Sequence, residues 1–142
     1  MKHINYFDLG LYKGEEVDMF LSEIDGVYDY TVYGFEAHPA AATNVSQKFA
    51  DNQNVFIYNK AITDKENAGN NINLYLERSG QGNSIFPTKN NVDRSRYVTT
   101  NSISFVDWVI QNVPNYKESY NILRFNIEGA ELLLMNDIID SN

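Results

Sequence analysis

The stretch Ile4-Asn5-Tyr6-Phe7-Asp8-Leu9-Gly10-Leu11-Tyr12-Lys13-Gly14 decides the fold. Ile4 to Leu9 is short, mostly apolar and stops at Gly10, so it reads as a buried strand entering a tight turn. Beyond it Val17, Phe20, Leu21 and Ile24 fall at i, i+3, i+4 and i+7, which is one face of a helix over Lys13 to Ile24. Glu15, Glu16 and Asp18 stand near its start, where the helix dipole favours acids, and Gly26 ends it.

The same alternation continues outward. Tyr30 to Glu36 is rich in β-branched and aromatic residues and reads as a second strand. His38-Pro39 breaks it, and Pro39 suits the first turn of a helix reaching about Ala50. Val55 to Ile62 reads as a third strand. Asn67 to Asn71 reads as a turn, and Ile72 to Glu77 as a strand of a hairpin beside strand three. Arg78 to Tyr97, rich in Gly, Asn and charge, reads as loop. Ser104 with Asp107 resembles a capping box opening a helix through Gln111. Asn121 to Ile127 is a further strand, and Ala130 to Ile139 a last helix. Strands alternating with helices specify an α/β fold with a parallel sheet and right-handed crossovers. The expected order is 3-2-1-4, counting only the parallel strands. Ligands of such sheets sit beyond the carboxyl ends of the strands.

Composition narrows the function. With 142 residues, 43% of them hydrophobic and 21% charged, the chain is expected to form one domain over 1–142. The formal charge of −8 gives a field that repels nucleic acid and favours a neutral or cationic substrate, and a small-molecule or glycan substrate is the expected partner. There is no cysteine, which excludes disulfides and thiolate metal sites. His3 and His38 have no ligand spacing around them, and no metal is expected. No apolar run has the length of about 20 residues that spans a bilayer, and the N-terminus lacks a signal-like apolar region. No membrane association is expected, and the expected compartment is the cytoplasm.

Three places carry candidate chemistry. Gly10 and Gly14 straddle a strand-to-helix turn that follows Asp8, where backbone can come close to a ligand. The plain alternative is a tight turn with Gly14 relieving helix–sheet packing. Gly-x-x-x-Gly lacks the middle glycine that admits a pyrophosphate, which argues against a nicotinamide cofactor. Glu36 ends the second strand, roughly 20 to 30 residues on, where an acid can accept ribose hydroxyls. Its plain alternative is a surface acid. Arg124 to Glu131 is again strand, turn and helix, with Glu128 placed to face a substrate. Glu128 and Glu131 also suit a helix N-terminus with no further role.

Asp8-Leu9-Gly10 with Gly14, then Gly34-Phe35-Glu36-Ala37-His38-Pro39, then Asn59-Lys60-Ala61-Ile62, then Ile127-Glu128-Gly129-Ala130-Glu131 together resemble the FkbM family of methyltransferases. The resemblance covers nearly the whole chain, and Ile127 to Glu131 is its most specific part. It implies a Rossmann-like sheet of the class I methyltransferase type and S-adenosyl-L-methionine as cofactor. That cofactor has no phosphate to seat, so the spacing of Gly10 and Gly14 does not count against it. It implies cofactor binding by Asp8, Gly10, Gly14, Glu36, Asn59 and Ala61, and O-methylation of a sugar or metabolite hydroxyl. Glu128 would then be the base or acceptor-binding residue, with Asn126 beside it. Three positions depart from the family pattern. Leu11-Tyr12 replaces Ala-Asn, Ala37-His38 replaces a Pro-x step, and Asn126 replaces Asp. An amide takes no proton at neutral pH, so Asn126 can only hydrogen-bond. The family's sheet has seven strands ordered 3-2-1-4-5-7-6. The chain stops one helix after the fourth, so the remaining strands are missing and a longer reading frame is expected. The competing readings are an inactive or truncated nucleoside-binding module and a nicotinamide-dependent oxidoreductase.

Overall fold

The computed structural model describes residues 2–78 and 82–141. In chain order the elements are β1 (Ile4–Leu9), α1 (Glu15–Ile24), β2 (Tyr30–Phe35), α2 (Pro39–Lys48), β3 (Val55–Tyr58), β4 (Ala61–Thr63), β5 (Asn71–Glu77), β6 (Val92–Ser104), α3 (Phe105–Asn112), β7 (Tyr120–Phe125) and α4 (Glu131–Asp140). One sheet is fully parallel in the order β3-β2-β1-β7, which is the expected 3-2-1-4. A second, mixed sheet has the order β4-β6-β5. No helix among the described residues is long and apolar enough to cross a membrane.

All six residues of β1 are buried, as the central strand of a parallel sheet requires. The period-2 alternation sends Ile4 and Tyr6 to one face, where they pack with Val17, Tyr30, Val32, Val45 and Phe49 under α1 and α2. It sends Phe7 and Leu9 to the other, against Phe35, Phe105, Val113 and Leu134. The sheet thus carries a core on each face. Ser104 caps α3, its Oγ accepting from the Asp107 amide at 3.4 Å and donating to Asp137 Oδ2 at 3.0 Å.

Two elements differ from the sequence reading. The single strand over Val55 to Ile62 divides, because Asn59 and Lys60 leave the ladder. The Asn59 side-chain amide donates to the carbonyls of Glu36 and Ala37 at 2.9 and 3.0 Å, turning the chain at the sheet's carboxyl edge. Ala61–Thr63 then joins the other sheet, pairing with Ser102 to Ser104. The loop expected over Arg78 to Tyr97 gives way at Val92 to the longest strand of the fold. Its polar residues Arg94 to Tyr97 are exposed, so the strand tolerates a composition that reads as loop. Ser79, Gly80 and Gln81 of that stretch lie outside the described residues. The hairpin partner of β5 is the antiparallel β6.

Candidate functional site

A cavity of about 440 Å³ opens at the carboxyl edge of the parallel sheet, a size ordinary for small-molecule sites. Its floor comes from the turns after β1, β2 and β7: Gly10 and Tyr12, Glu36 to His38, and Asn126 to Glu128. Lys60, Ala61 and Ile62 close one side. Leu74, Leu76, Arg78, Ile85 and Arg96 come from the second sheet and its connection.

Gly10 holds the floor together. Its φ is +99°, and a Cβ there would stand 2.1 Å from the Asn126 carbonyl oxygen. Only glycine allows the turns after β1 and β7 to meet so closely. Its amide donates to the Phe35 carbonyl at 2.9 Å, and the Asn126 amide donates to Leu9 O at 2.8 Å.

Glu36 ties two of those turns to each other. Its Oε2 accepts from the Tyr12 amide and its Oε1 from the His38 amide, each at 2.8 Å. Each oxygen keeps acceptor capacity for a further donor. His38 Nδ1 is buried in the neighbouring wall with no hydrogen-bond partner, a state that calls for an explanation in a cavity lining. Tyr12 sits at φ 51°, a left-handed conformation uncommon for tyrosine.

Glu128 also has positive φ, 52°. Its carboxylate is ion-paired with Lys89, which donates to Gly82 O at 3.1 Å as well. The Ser84 hydroxyl donates to the Glu128 carbonyl at 2.7 Å. Glu131 is occupied locally, accepting from the amides of Ile127 and Gly129 at the start of α4.

Of the eight residues singled out from the sequence, Gly10, Glu36, Ala61, Asn126 and Glu128 line the cavity. Asp8, Gly14 and Asn59 stand behind it. Asp8 is fully buried and its Oδ1 accepts from Arg124 Nη1 at 2.8 Å; the same nitrogen donates to Gly10 O at 2.9 Å. Asp8 thus positions the glycine turn through Arg124. Burial pushes its carboxyl above the usual range, against the hydrogen bond and charge of Arg124. Gly14, at φ +72°, lies under Phe49, whose ring carbon a Cβ would meet at 2.7 Å. Asn59 braces the turn after β2 from outside.

Sequence reasoning passed over Lys89, Ser84 and the orphaned ring nitrogen of His38. Lys89 lies 39 residues from Glu128 in a stretch without periodicity, and nothing local signals the pairing. His38 held a signal in its place two residues after Glu36, where the chain faces any ligand of the sheet edge. No protein-family model, no curated protein and no solved structure matches this chain.

Proposed function

We propose that this chain binds S-adenosyl-L-methionine in the 440 Å³ cavity and is built to methylate a hydroxyl of a sugar or small metabolite, in a Rossmann-like methyltransferase domain of the kind the FkbM family has. The observation that carries the reading is the convergence of Gly10, Glu36 and Glu128 on one cavity at the carboxyl edge of a parallel β3-β2-β1-β7 sheet. The residues present fit the cofactor. Gly10 offers bare backbone for close approach, Glu36 keeps acceptor capacity for two hydroxyls, and His38 Nδ1 lacks a partner that a nucleoside can supply.

When bound, the cofactor would supply an electrophilic methyl carbon on a sulfonium: the methyl would pass to the acceptor oxygen, the thioether would leave with the electrons of the C–S bond, and the hydroxyl proton would go to solvent. The chain's own work is to orient. Arg124, held by Asp8, fixes the Gly10 carbonyl, and Glu36 locks the turns after β1 and β2 together. Glu128 borders the same cavity from the turn after β7, with Lys89 holding its carboxylate. A carboxylate already paired with an ammonium is better suited to hold a hydroxyl than to take its proton. That pairing, with an amide at Asn126, also favours a second reading in which the chain binds the nucleoside without turnover.

Calorimetry with S-adenosylhomocysteine and with NAD tests the proposal. S-adenosylhomocysteine should bind and NAD should not. Glu36→Ala should weaken the binding by about 1.5–3 kcal/mol, the range for hydrogen bonds to a charged group. Binding of NAD alone, or unchanged S-adenosylhomocysteine affinity in Glu36→Ala, would overturn the reading. Methyl transfer to none of a panel of hydroxylated sugars, with intact S-adenosylhomocysteine binding, would select the binding module.

A further inference from the structure

We propose that the acceptor carries an anionic group, a carboxylate or phosphate on a sugar-sized molecule, and that Arg96 and Arg78 hold it. The acceptor role rests on the methyltransferase reading; the anion seat itself does not. In the β5–β6 ladder Tyr75 pairs with Tyr97, but Leu76 pairs with Asp93, so Arg94, Ser95 and Arg96 bulge from β6. The bulge is pinned by Asp93 Oδ1, which accepts from the Ser95 amide at 2.9 Å and the Ser95 hydroxyl at 2.6 Å. A bulge re-aims the side chains it carries. Here it brings Arg96 to the cavity wall, while Arg94 donates to Pro87 O at 2.9 Å elsewhere. Arg78, just past the end of β5, borders the same wall.

Two of the chain's four arginines therefore border one cavity in a protein of net charge −8. Among the described residues neither has a carboxylate within 4.0 Å. The neighbouring acids are engaged elsewhere. Glu36 holds two amides, Glu128 holds Lys89, and Glu77 accepts from the Gly82 amide at 3.3 Å. Asp93 is held in the bulge by Ser95. Its hydrogen bonds from Ser95 hold its carboxyl below the usual range, and the charges of Arg96 and Arg78 pull the same way. Guanidinium forks match the paired oxygens of carboxylate and phosphate, which a lone ammonium does not.

The test titrates D-glucuronate, glucose 6-phosphate and glucose into the full chain, with and without S-adenosylhomocysteine, followed by NMR chemical shifts. At least one anionic sugar should bind about tenfold or more tighter than glucose, as one charge-assisted contact implies. The tighter of the two names the anion. Arg96→Gln should erase most of the preference, and Arg94→Gln, outside the cavity, should keep it with S-adenosylhomocysteine affinity unchanged. Both side chains are exposed, so the variants should melt like the parent. Equal affinity for all three sugars, or a preference surviving in Arg78→Gln/Arg96→Gln, overturns the proposal. An anion preference without S-adenosylhomocysteine binding sinks the methyltransferase reading and leaves the anion seat; the converse result sinks the seat and spares the reading.

Discussion

Replacing Gly10 by alanine tests the claim that the cavity floor exists only because two turns meet there without a side chain. Alanine at φ +99° carries a conformational cost of about 1–2 kcal/mol. Its Cβ would also stand 2.1 Å from Asn126 O and 2.9 Å from Asn126 C. Both are backbone atoms, so the turn after β7 must retreat. The hydrogen bond from Asn126 N to Leu9 O would then stretch, at about 1 kcal/mol. Together these place the loss at about 2–3 kcal/mol. Gly26→Ala is the matched control, because its φ is +75° with nothing within 4 Å of the added carbon. It should lose only the conformational part, about 1–2 kcal/mol. Urea unfolding of the two variants and the parent, with a common m value, gives both numbers. A Gly10→Ala loss no larger than that of Gly26→Ala would refute the close approach and the account of the floor built on it.

Three further outcomes are expected. Ser104→Ala should cost about 1–3 kcal/mol in urea unfolding, since it uncaps α3 and strands the buried Asp137 carboxylate; a loss under a few tenths would mean that water replaces both bonds. Tyr12→Asn should gain about 0.5–1 kcal/mol, because asparagine tolerates φ 51° better; a lower Tm would show that the contact of the Tyr12 ring with Lys13 outweighs the strain. Asp8 binds its proton more readily in the folded than in the unfolded chain. Its contribution to unfolding free energy therefore declines as pH rises from the ordinary carboxylate range through the raised folded value. Asp8→Asn should lack that component of the slope, and unfolding profiles parallel to those of the parent across acid pH would contradict it.

The parallel sheet was legible because each of its units announces itself locally. The apolar run of β1, the i, i+3, i+4 stripe of α1 and the Pro39 helix start are short-range signals, and right-handed crossovers leave few orders to choose from. The mixed sheet was not. β6 is half exposed and carries Asp93-Arg94-Ser95-Arg96, a composition shared with turns, and it becomes a strand only through partners 15 to 30 residues away in β5 and 41 away in β4. The site divides the same way. Gly10, Glu36 and Glu128 follow from the rule that ligands gather at strand ends. Asp8 looks like a ligand residue from its place beside Gly10, yet alternation turns it into the core to meet Arg124. Lys89 and the bulge at Arg96 depend on long-range geometry that no local pattern encodes.

The register of β1 against β7 has a kinetic side. Asp8 lies opposite Arg124, 116 residues further along the chain. β1 is thus an inner strand of the sheet, and its edge toward β7 stays open until Tyr120 to Phe125 has been made. Closing so long a loop is entropically slow, and the apolar segment from Ile4 to Leu9 is exposed to wrong partners in the meantime. The floor of the cavity is assembled by that same late pairing, since Gly10 meets Asn126 only when β7 docks. A nascent chain released before residue 120 should carry β1, β2 and β3 but no pocket, and be prone to aggregate through the bare edge of β1.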